Sequence, residues 1–149
     1  MTTMRRTNSD DNNFLHLVVE LDKELAKRNG DSNDFFAQFN KTDLIKNVVV
    51  AFRDNTPAGC GAMKPYDHYV MEIKRMFVQP DMRGNGIAVA MLRELETWAK
   101  ELGYKKCILE TGDQMPEAIR LYQKTGYQII PNYGPYENVA SSICFEKFL

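Results

Sequence analysis

Two glycines between a predicted strand and a predicted helix are the residues of this chain best suited to bind an anion. Gly84 and Gly86 are followed directly by an amphipathic run, and because they lack side chains they let backbone N–H groups approach a ligand closely. The N-terminus of a helix carries the positive end of the helix dipole, which favours phosphate. Arg83 adds a positive charge at the same point. The pattern predicts a phosphate site, although a turn that needs glycine only for its geometry would use the same residues.

The helix after these glycines must hold the turn in place. Apolar residues recur along it with the spacing of a single buried face, which predicts a helix from Ala88 to Leu102. The residues of this face are Ala88, Met91, Leu92, Leu95, Trp98, Ala99 and Leu102. Because that face is buried, the first turn of the helix is fixed relative to the rest of the protein.

The strand before the glycines, predicted near Tyr69 to Val78, has an irregular alternation. Met71 and Ile73 lie on one parity, whereas Met76 and Val78 lie on the other. Such a slip predicts a β-bulge, in which one extra residue bends the strand, interrupts the ladder and leaves a backbone N–H unpaired. The alternative is an edge strand, in which the two basic residues between these pairs both face solvent.

The other predicted elements place this unit in an α/β chain. The predicted strands are Thr3 to Thr7, a hairpin of Asn47 to Phe52 and Ala58 to Met63, Lys106 to Thr111, Tyr127 to Ile130 and Ser142 to Phe148. The predicted helices run from the polar cluster at residues 8–13 to about Arg28, from Asp34 to Phe39, and from Pro116 to a stop at Gly126. The strand at Lys106 is expected to run parallel to the strand before the glycines, because a helix connects the two.

The composition limits the classes of partner. A chain of 149 residues predicts one domain, residues 1–149. The net charge of −1 argues against nucleic acid or an anionic membrane surface as a partner, and no apolar run reaches the roughly 18 residues of a membrane span. Cys60, Cys107 and Cys144 lie in apolar stretches, which indicates reduced, buried thiols and a cytoplasmic protein. His16 and His68 lack metal-ligand spacing, so no metal site is predicted.

Two nucleotide-binding motifs also place glycines between a strand and a helix, the P-loop and the dinucleotide fingerprint. A P-loop ends in Gly-Lys-Ser/Thr, whereas Gly86 is followed by Ile87 and Ala88. The dinucleotide fingerprint requires an acid about 20 residues further on, which Glu110 supplies, but the third glycine position is Val89. The segment 79–83 is also too long for the tight turn of that motif. Neither motif accounts for the pattern.

The same residues resemble the GNAT superfamily of N-acetyltransferases, which use acetyl-coenzyme A. The central motif of that family, Arg or Gln, then Gly, then Gly or Ala at fixed spacing, is matched by Arg83, Gly86 and Ala88, and Val78 and Pro80 fit the residues before it. The second motif is matched by Ala118, Leu121, Tyr122, Gly126 and Tyr127. The resemblance extends from about Val48 to Leu149. One position departs from it, because many members have Asn where this chain has Met115.

The resemblance implies an α/β (α+β) fold with a mixed, mostly antiparallel sheet of six to seven strands, flanked by about four helices. Its fourth and fifth strands would be parallel and splayed, and the cosubstrate acetyl-CoA would lie between them. Strand backbone would pair with the pantetheine arm, and N–H groups of the turn would hold the pyrophosphate. The cofactor-binding residues implied in this way are Met76, Phe77, Val78, Arg83, Gly84, Asn85, Gly86, Ile87, Ala88 and Val89.

The resemblance also implies a reaction, the acetylation of a primary amine. Tyr122 would donate to the departing thiolate, and Glu72 or Glu110 would accept the amine proton directly or through water. The unpaired bulge N–H near Met76 would stabilise the negative charge that develops on the carbonyl oxygen. Tyr133 and Tyr136 either line the acceptor pocket or belong to a solvent-facing turn. A non-catalytic acyl-CoA sensor on the same fold is the alternative function, and a homodimer is common in the family.

Overall fold

The computed structural model describes residues 1–33 and 44–149 and folds them into seven strands and three α-helices. The strands are β1 (Thr2–Thr7), β2 (Asn47–Arg53), β3 (Thr56–Pro65), β4 (Val70–Val78), β5 (Lys106–Gly112), β6 (Gln128–Ile130) and β7 (Ser142–Phe148). The helices are α1 (Asn12–Asn29), α2 (Ile87–Glu101) and α3 (Pro116–Lys124). About four helices were predicted, and the one expected at Asp34 to Phe39 lies outside the described residues.

All seven strands form one mixed sheet in the order β1-β2-β3-β4-β5-β7-β6. Every neighbouring pair is antiparallel except β4 and β5, which are parallel as predicted. The predicted hairpin of β2 and β3 is also confirmed. Its two turn residues, Asp54 and Asn55, have φ angles of 50° and 70°, as expected for the turn type whose twist matches a two-residue hairpin.

A helical layer covers each face of this sheet. Val48 and Val50 of β2 pack on one face with the buried residues of α1, which are Phe14, Leu17, Val18 and Leu21. Val49 and Ala51 pack on the other face with the buried residues of α2, which are Ile87, Met91, Leu92, Leu95 and Ala99. The apolar face predicted for α2 is therefore confirmed, except that Leu102 lies beyond the end of the helix and is half exposed.

Side chains outside the core fix the helices to the strands. The Asp11 carboxylate caps α1 by accepting a hydrogen bond from the Phe14 N–H at 3.0 Å. Arg6 of β1 donates to Glu94 at 2.6 Å and to Glu101 at 2.9 Å, and it lies over the ring of Trp98 on the same helix. No helix within the described ranges is long and apolar enough to cross a membrane.

The predicted bulge in β4 is confirmed. Cys60 of β3 pairs with Phe77 and Ala62 pairs with Lys74, so Gly61 alone lies opposite two residues, Arg75 and Met76. The alternative of an edge strand with two solvent-facing charges is wrong, because β4 is a central strand and the side chain of Arg75 is 1% exposed.

The bulge lies close to the point where β4 and β5 separate. The two strands pair only from Val70 to Glu72 and from Lys106 to Ile108, whereas β4 continues along β3 as far as Val78. Among residues 1–33 and 44–149, the part of β4 beyond Glu72 therefore has no strand partner on its β5 side, which is the splayed arrangement that the resemblance implies.

Candidate active site

A groove of about 280 Å³ extends from the glycine turn, residues 83–86, to Tyr122 on α3. One side is formed by β4 beyond the point where it leaves β5, and the other by α3. The lining residues are Leu21, Glu24, Met76, Phe77, Val78, Arg83, Gly84, Ala88, Met115, Glu117, Ala118, Leu121 and Tyr122. The groove thus brings the predicted strand, turn and tyrosine together.

The two glycines of the turn are required by their backbone conformation. Gly84 and Gly86 have φ angles of +84° and +75°, in the left-handed region that L side chains rarely adopt. A Cβ atom at either position would meet no atom of the described residues within 4 Å, so the space that these residues leave beside the turn is open. Gly86 is the N-cap of α2 and provides no side-chain cap, which leaves the first N–H groups of the helix without a side-chain acceptor at the cap.

The charge of Arg83 suggested that its guanidinium would face a bound anion, but the guanidinium contacts groups of the protein instead. Its Nε donates to the Val78 carbonyl at 2.9 Å and its Nη2 donates to the Glu24 carboxylate at 3.1 Å. The guanidinium also lies 5.6 Å from the ring centroid of Phe77. Asn85 likewise donates to the Met82 carbonyl at 3.0 Å. Both side chains therefore brace the turn from within.

A cavity of about 120 Å³ adjoins the groove at Tyr122. The residues that line both spaces are Leu21, Met76, Met115, Ala118 and Tyr122. The cavity is otherwise bordered by Leu25, Asn29, Ile73, Lys74, Arg75, Glu110, Thr111, Gly112 and Tyr136. Met115, the position that departs from the resemblance, thus lies at the junction of the two spaces.

Tyr122 is buried at this junction, with 6% of its surface exposed. The helix that carries it begins at Pro116, which suits the first helical position because proline lacks an N–H there. Its ring packs against those of Tyr127 and Phe145, with centroids 5.7 and 5.8 Å away. Burial raises the pKa of its hydroxyl, and the nearby Glu110 carboxylate raises that pKa further, so the group is a proton donor at neutral pH.

Glu110 borders the cavity and accepts a hydrogen bond from the Ser142 hydroxyl at 2.6 Å. Burial raises the pKa of this carboxyl, whereas the hydrogen bond from Ser142 and the charge of Lys74 oppose the shift. Ser142 lies beside β5 because β7 pairs with β5 through the register Gly112 to Ser142. Sequence reasoning missed this serine, since the pairing of β5 with β7 is not visible in a local pattern.

Glu72, the other predicted carboxylate, contacts both a tyrosine hydroxyl and a lysine ammonium. It is buried, accepts a hydrogen bond from the Tyr133 hydroxyl at 2.8 Å and lies 4.0 Å from the Lys74 ammonium. Burial lowers the pKa of Lys74, and the charge of Glu72 opposes that shift. Lys74 was not predicted as a site residue, although it lies at the bulge that the parity slip revealed.

The two loop tyrosines pack against each other beside these carboxylates. The rings of Tyr133 and Tyr136 meet edge to face with centroids 5.9 Å apart, and Tyr66 packs on the other side of Tyr133 at 5.3 Å. Tyr136 is buried and borders the cavity, so it does not belong to a solvent-facing turn.

Two groups considered from the sequence are not part of this site. Among residues 1–33 and 44–149, no cluster of three or more His, Cys, Asp or Glu side chains could hold a metal ion. Cys60, Cys107 and Cys144 are free and buried. Burial raises the pKa of the Cys60 and Cys107 thiols to about 12 and that of Cys144 to about 11.

Comparison with known proteins identifies the family that shares this arrangement. The model of the acetyltransferase (GNAT) family matches residues 8–127. An IAA acetyltransferase from Azospirillum brasilense is 36% identical over 138 residues, which cover 87% of this chain and 89% of the relative.

Solved structures agree with the fold. A Klebsiella pneumoniae protein described as a candidate acyl-CoA N-acyltransferase superposes with a TM-score of 0.83 at 27% identity, covering 100% of this chain and 98% of that one. The PaiA N-acetyltransferase from Thermoplasma acidophilum, solved in complex with coenzyme A, has a TM-score of 0.75 at 18% identity and covers 100% and 99% of the two chains. At that identity the second likeness concerns the fold alone.

Proposed function

This chain belongs to the GNAT family of acetyltransferases, and on that basis we propose that it transfers an acetyl group from acetyl-CoA directly to a primary amine of a small molecule or peptide. The observation that carries the proposal is the meeting of the groove and the cavity at Tyr122. Each space would hold one substrate, so the thioester and the amine would meet without a covalent enzyme intermediate. Residues 1–149 would act as one domain, since the sheet draws strands from both ends of the chain.

The groove has the features that coenzyme A requires. Beyond Glu72 no strand in the described part of the chain pairs with the β5 side of β4, so backbone groups of Met76 to Val78 are available to pair with the pantetheine amides as an added strand would. The open space beside Gly84 and Gly86 leaves room for the pyrophosphate against N–H groups from Gly84 to Val89. Arg83 would act by bracing this turn.

The amine must lose a proton before it attacks, because an alkylammonium with a pKa of about 10.4 has no free lone pair. Holding the neutral amine at pH 7 costs about 4 kcal/mol in water. We assign the base to Glu110, which borders the cavity and whose pKa is raised by burial toward the operating pH. Glu72 is less suited, since it does not border the cavity and its carboxylate accepts from Tyr133 and lies beside Lys74.

Two hydrogen-bond donors would stabilise the negative charges that develop on the carbonyl oxygen and on the departing sulfur. The Met76 N–H, at the bulge, would donate to the carbonyl oxygen as negative charge accumulates on it. The Tyr122 hydroxyl, kept protonated by burial, would donate to the departing sulfur. Because a thiol has a pKa near 8.5 and a phenol near 10, full proton transfer from tyrosine is uphill by about 2 kcal/mol. A hydrogen bond to the thiolate would therefore supply much of the stabilisation.

Thiol release from acetyl-CoA, measured across a panel of small amines, amino acids and amine-bearing peptides, tests this proposal. Turnover with at least one acceptor, together with an acetylated product of the expected mass, would support an N-acetyltransferase. Binding of coenzyme A by calorimetry without thiol release for any acceptor would instead favour a non-catalytic acyl-CoA sensor. Absence of coenzyme A binding would contradict both functions.

A further inference from the structure

The bulge in β4 contains Arg75, whose backbone conformation and buried side chain both cost free energy. Arg75 has a φ angle of +61°, a left-handed conformation that costs free energy for any residue except glycine. Its side chain is 1% exposed, and Nε and Nη1 are buried without a hydrogen-bond partner among the described residues. Such costs persist only where the surrounding structure enforces them, and they concentrate at functional sites.

Two contacts hold this residue in place. Its Nη2 donates to the Asp22 carboxylate of α1 at 2.5 Å, which fixes the side chain to a helix 53 residues earlier in the chain. The Cys60 thiol on β3 lies 3.4 Å from the Arg75 carbonyl oxygen and donates to it. Arg75 is thus held at both ends, its guanidinium by α1 and its carbonyl by the neighbouring strand.

The carbonyl contact determines the direction of the next N–H group. The peptide unit is planar and trans, so the Arg75 carbonyl and the Met76 N–H point in opposite directions. Fixing the carbonyl toward Cys60 therefore fixes the Met76 N–H away from β3. Met76 borders both the groove and the cavity, and its side chain packs closely over Gly61, where an added Cβ would come within 2.6 Å of the Met76 sulfur.

We propose that Arg75 is a positioning residue for acetyl transfer, whose buried guanidinium, tied to Asp22, holds the bulge so that the Met76 N–H points at the reacting carbonyl. This inference rests on the proposed function. Arg75 borders the cavity, but its guanidinium is buried against Asp22 and acts through the peptide that Arg75 shares with Met76. The ion pair also fixes α1, whose Leu21, Leu25 and Asn29 border the cavity, against the strand that carries the donor.

Steady-state kinetics on two variants test the role. Arg75→Met removes the ion pair with Asp22 that holds the bulge. We expect kcat to fall about tenfold or more, because a misaligned oxyanion donor stabilises the transition state less well. The KM for acetyl-CoA should change less than about threefold, because the glycine turn is untouched. Asp22→Asn leaves the guanidinium charge in place, so a fall in kcat there separates positioning from a direct effect of charge.

Asp22→Asn also covers the case in which Arg75→Met does not fold, because Asp22 is 57% exposed. The matched control is Arg6→Met, which removes an arginine that joins a strand to a helix through carboxylates away from the site. That control should lose stability and keep its kcat. A folded Arg75→Met with wild-type kcat, or an Asp22→Asn with wild-type kcat, would overturn the proposal.

A measurement independent of turnover distinguishes this inference from the proposed function. The amide resonance of Met76 is followed by NMR on addition of acetonyl-CoA, a ketone analogue that retains the carbonyl. We expect a downfield shift in the wild-type protein and a much smaller one in both variants, and equal shifts would contradict the inference. If no amine is turned over by the wild-type enzyme, the proposed function fails, while this readout still decides whether Arg75 orients the amide.

Discussion

The hydroxyl of Tyr122 is the residue-scale feature with the most direct consequence for chemistry. We predict that Tyr122→Phe lowers kcat about a hundredfold, because a hydrogen bond to the leaving sulfur is made mainly in the transition state. The KM for acetyl-CoA should stay within about threefold, since the ring is retained. Steady-state kinetics with acetyl-CoA as the varied substrate measure both constants.

Tyr127→Phe is the matched control for that variant. Tyr127 is also a buried tyrosine, and its ring lies 5.7 Å from that of Tyr122, but its hydroxyl donates to Glu96 at 2.8 Å, outside the groove and the cavity. Loss of this hydrogen bond should cost about 1 kcal/mol of unfolding free energy and leave kcat unchanged. Wild-type turnover by Tyr122→Phe would remove that hydroxyl from the mechanism.

The hydrogen bond from Ser142 to Glu110 gives a pH-dependent prediction. Burial raises the pKa of Glu110, and this bond holds the pKa below the value that burial alone would produce. A general base acts in its deprotonated form, so activity rises with pH through its pKa. Ser142→Ala should therefore move the acidic limb of the kcat/KM profile to higher pH, and Glu110→Gln should abolish the limb.

Glu72→Gln provides the comparison, because its carboxylate accepts from Tyr133 and lies outside the residues that border the cavity. We expect that variant to keep the acidic limb and to move it to lower pH, because the charge of Glu72 contributes to the raised pKa of Glu110. An unchanged limb in Glu110→Gln, or loss of the limb in Glu72→Gln, would assign the base to another group.

At the scale of elements, substitutions in the turn before α2 distinguish the cost of an altered backbone conformation from a loss of ligand binding. We predict that the double variant Gly84→Ala, Gly86→Ala weakens coenzyme A binding more than tenfold, as measured by calorimetry. Both positions have positive φ, so each alanine should also cost about 1 kcal/mol of unfolding free energy. The added methyl groups meet no protein atom within 4 Å, so any loss of affinity beyond that strain arises from the open space where the ligand would lie.

Gly103→Ala is the control at the other end of the same helix. Gly103 has a φ angle of +95°, and a Cβ there also meets nothing within 4 Å. It should therefore lose a similar amount of stability while binding coenzyme A normally. Equal affinity of the double variant and wild type would show that the turn does not hold the pyrophosphate.

Local patterns predicted the elements well because their causes are local. The parity slip between Ile73 and Met76 revealed the bulge, and the apolar spacing after Gly86 gave α2 to within a residue at each end. The contacts that were missed depend on pairings distant in the chain. Ser142 reaches Glu110 only because β7 lies between β5 and β6, and no spacing in the sequence gives that order.

Contacts between residues distant in the chain also explain why the charge of a residue did not predict its role in the site. Arg83 follows the expected pattern of an anion-site arginine, but the structure commits its guanidinium to the Val78 carbonyl and to Glu24 of α1. Glu72 and Glu110 could not be ranked from the sequence, since both stand at strand positions of similar type. Two features of the structure distinguish them: Glu110 borders the cavity and Glu72 does not, and their partners differ, Tyr133 for Glu72 and Ser142 for Glu110.

At the scale of the whole molecule, the sheet has little strand pairing where the substrates would bind. Strands β4 and β5 pair at only three positions, whereas β5 and β7 pair at seven. The groove lies across this gap and is bordered by α1, β4, the glycine turn and α3. A ligand in the groove would therefore contact β4 on one side and α3 on the other, and would add contacts across this gap.

Coenzyme A should accordingly stabilise the fold. A ligand that binds only the native state at a hundred times its Kd adds about 2.7 kcal/mol to the free energy of unfolding. For a chain of this size that corresponds to a rise in Tm of roughly 5–10 °C, measurable by scanning calorimetry across a coenzyme A titration. The Gly84→Ala, Gly86→Ala variant should show a much smaller rise at the same concentrations, and Gly103→Ala should show the full one. Equal rises in all three proteins would mean that the stabilising contacts lie elsewhere than at the start of α2.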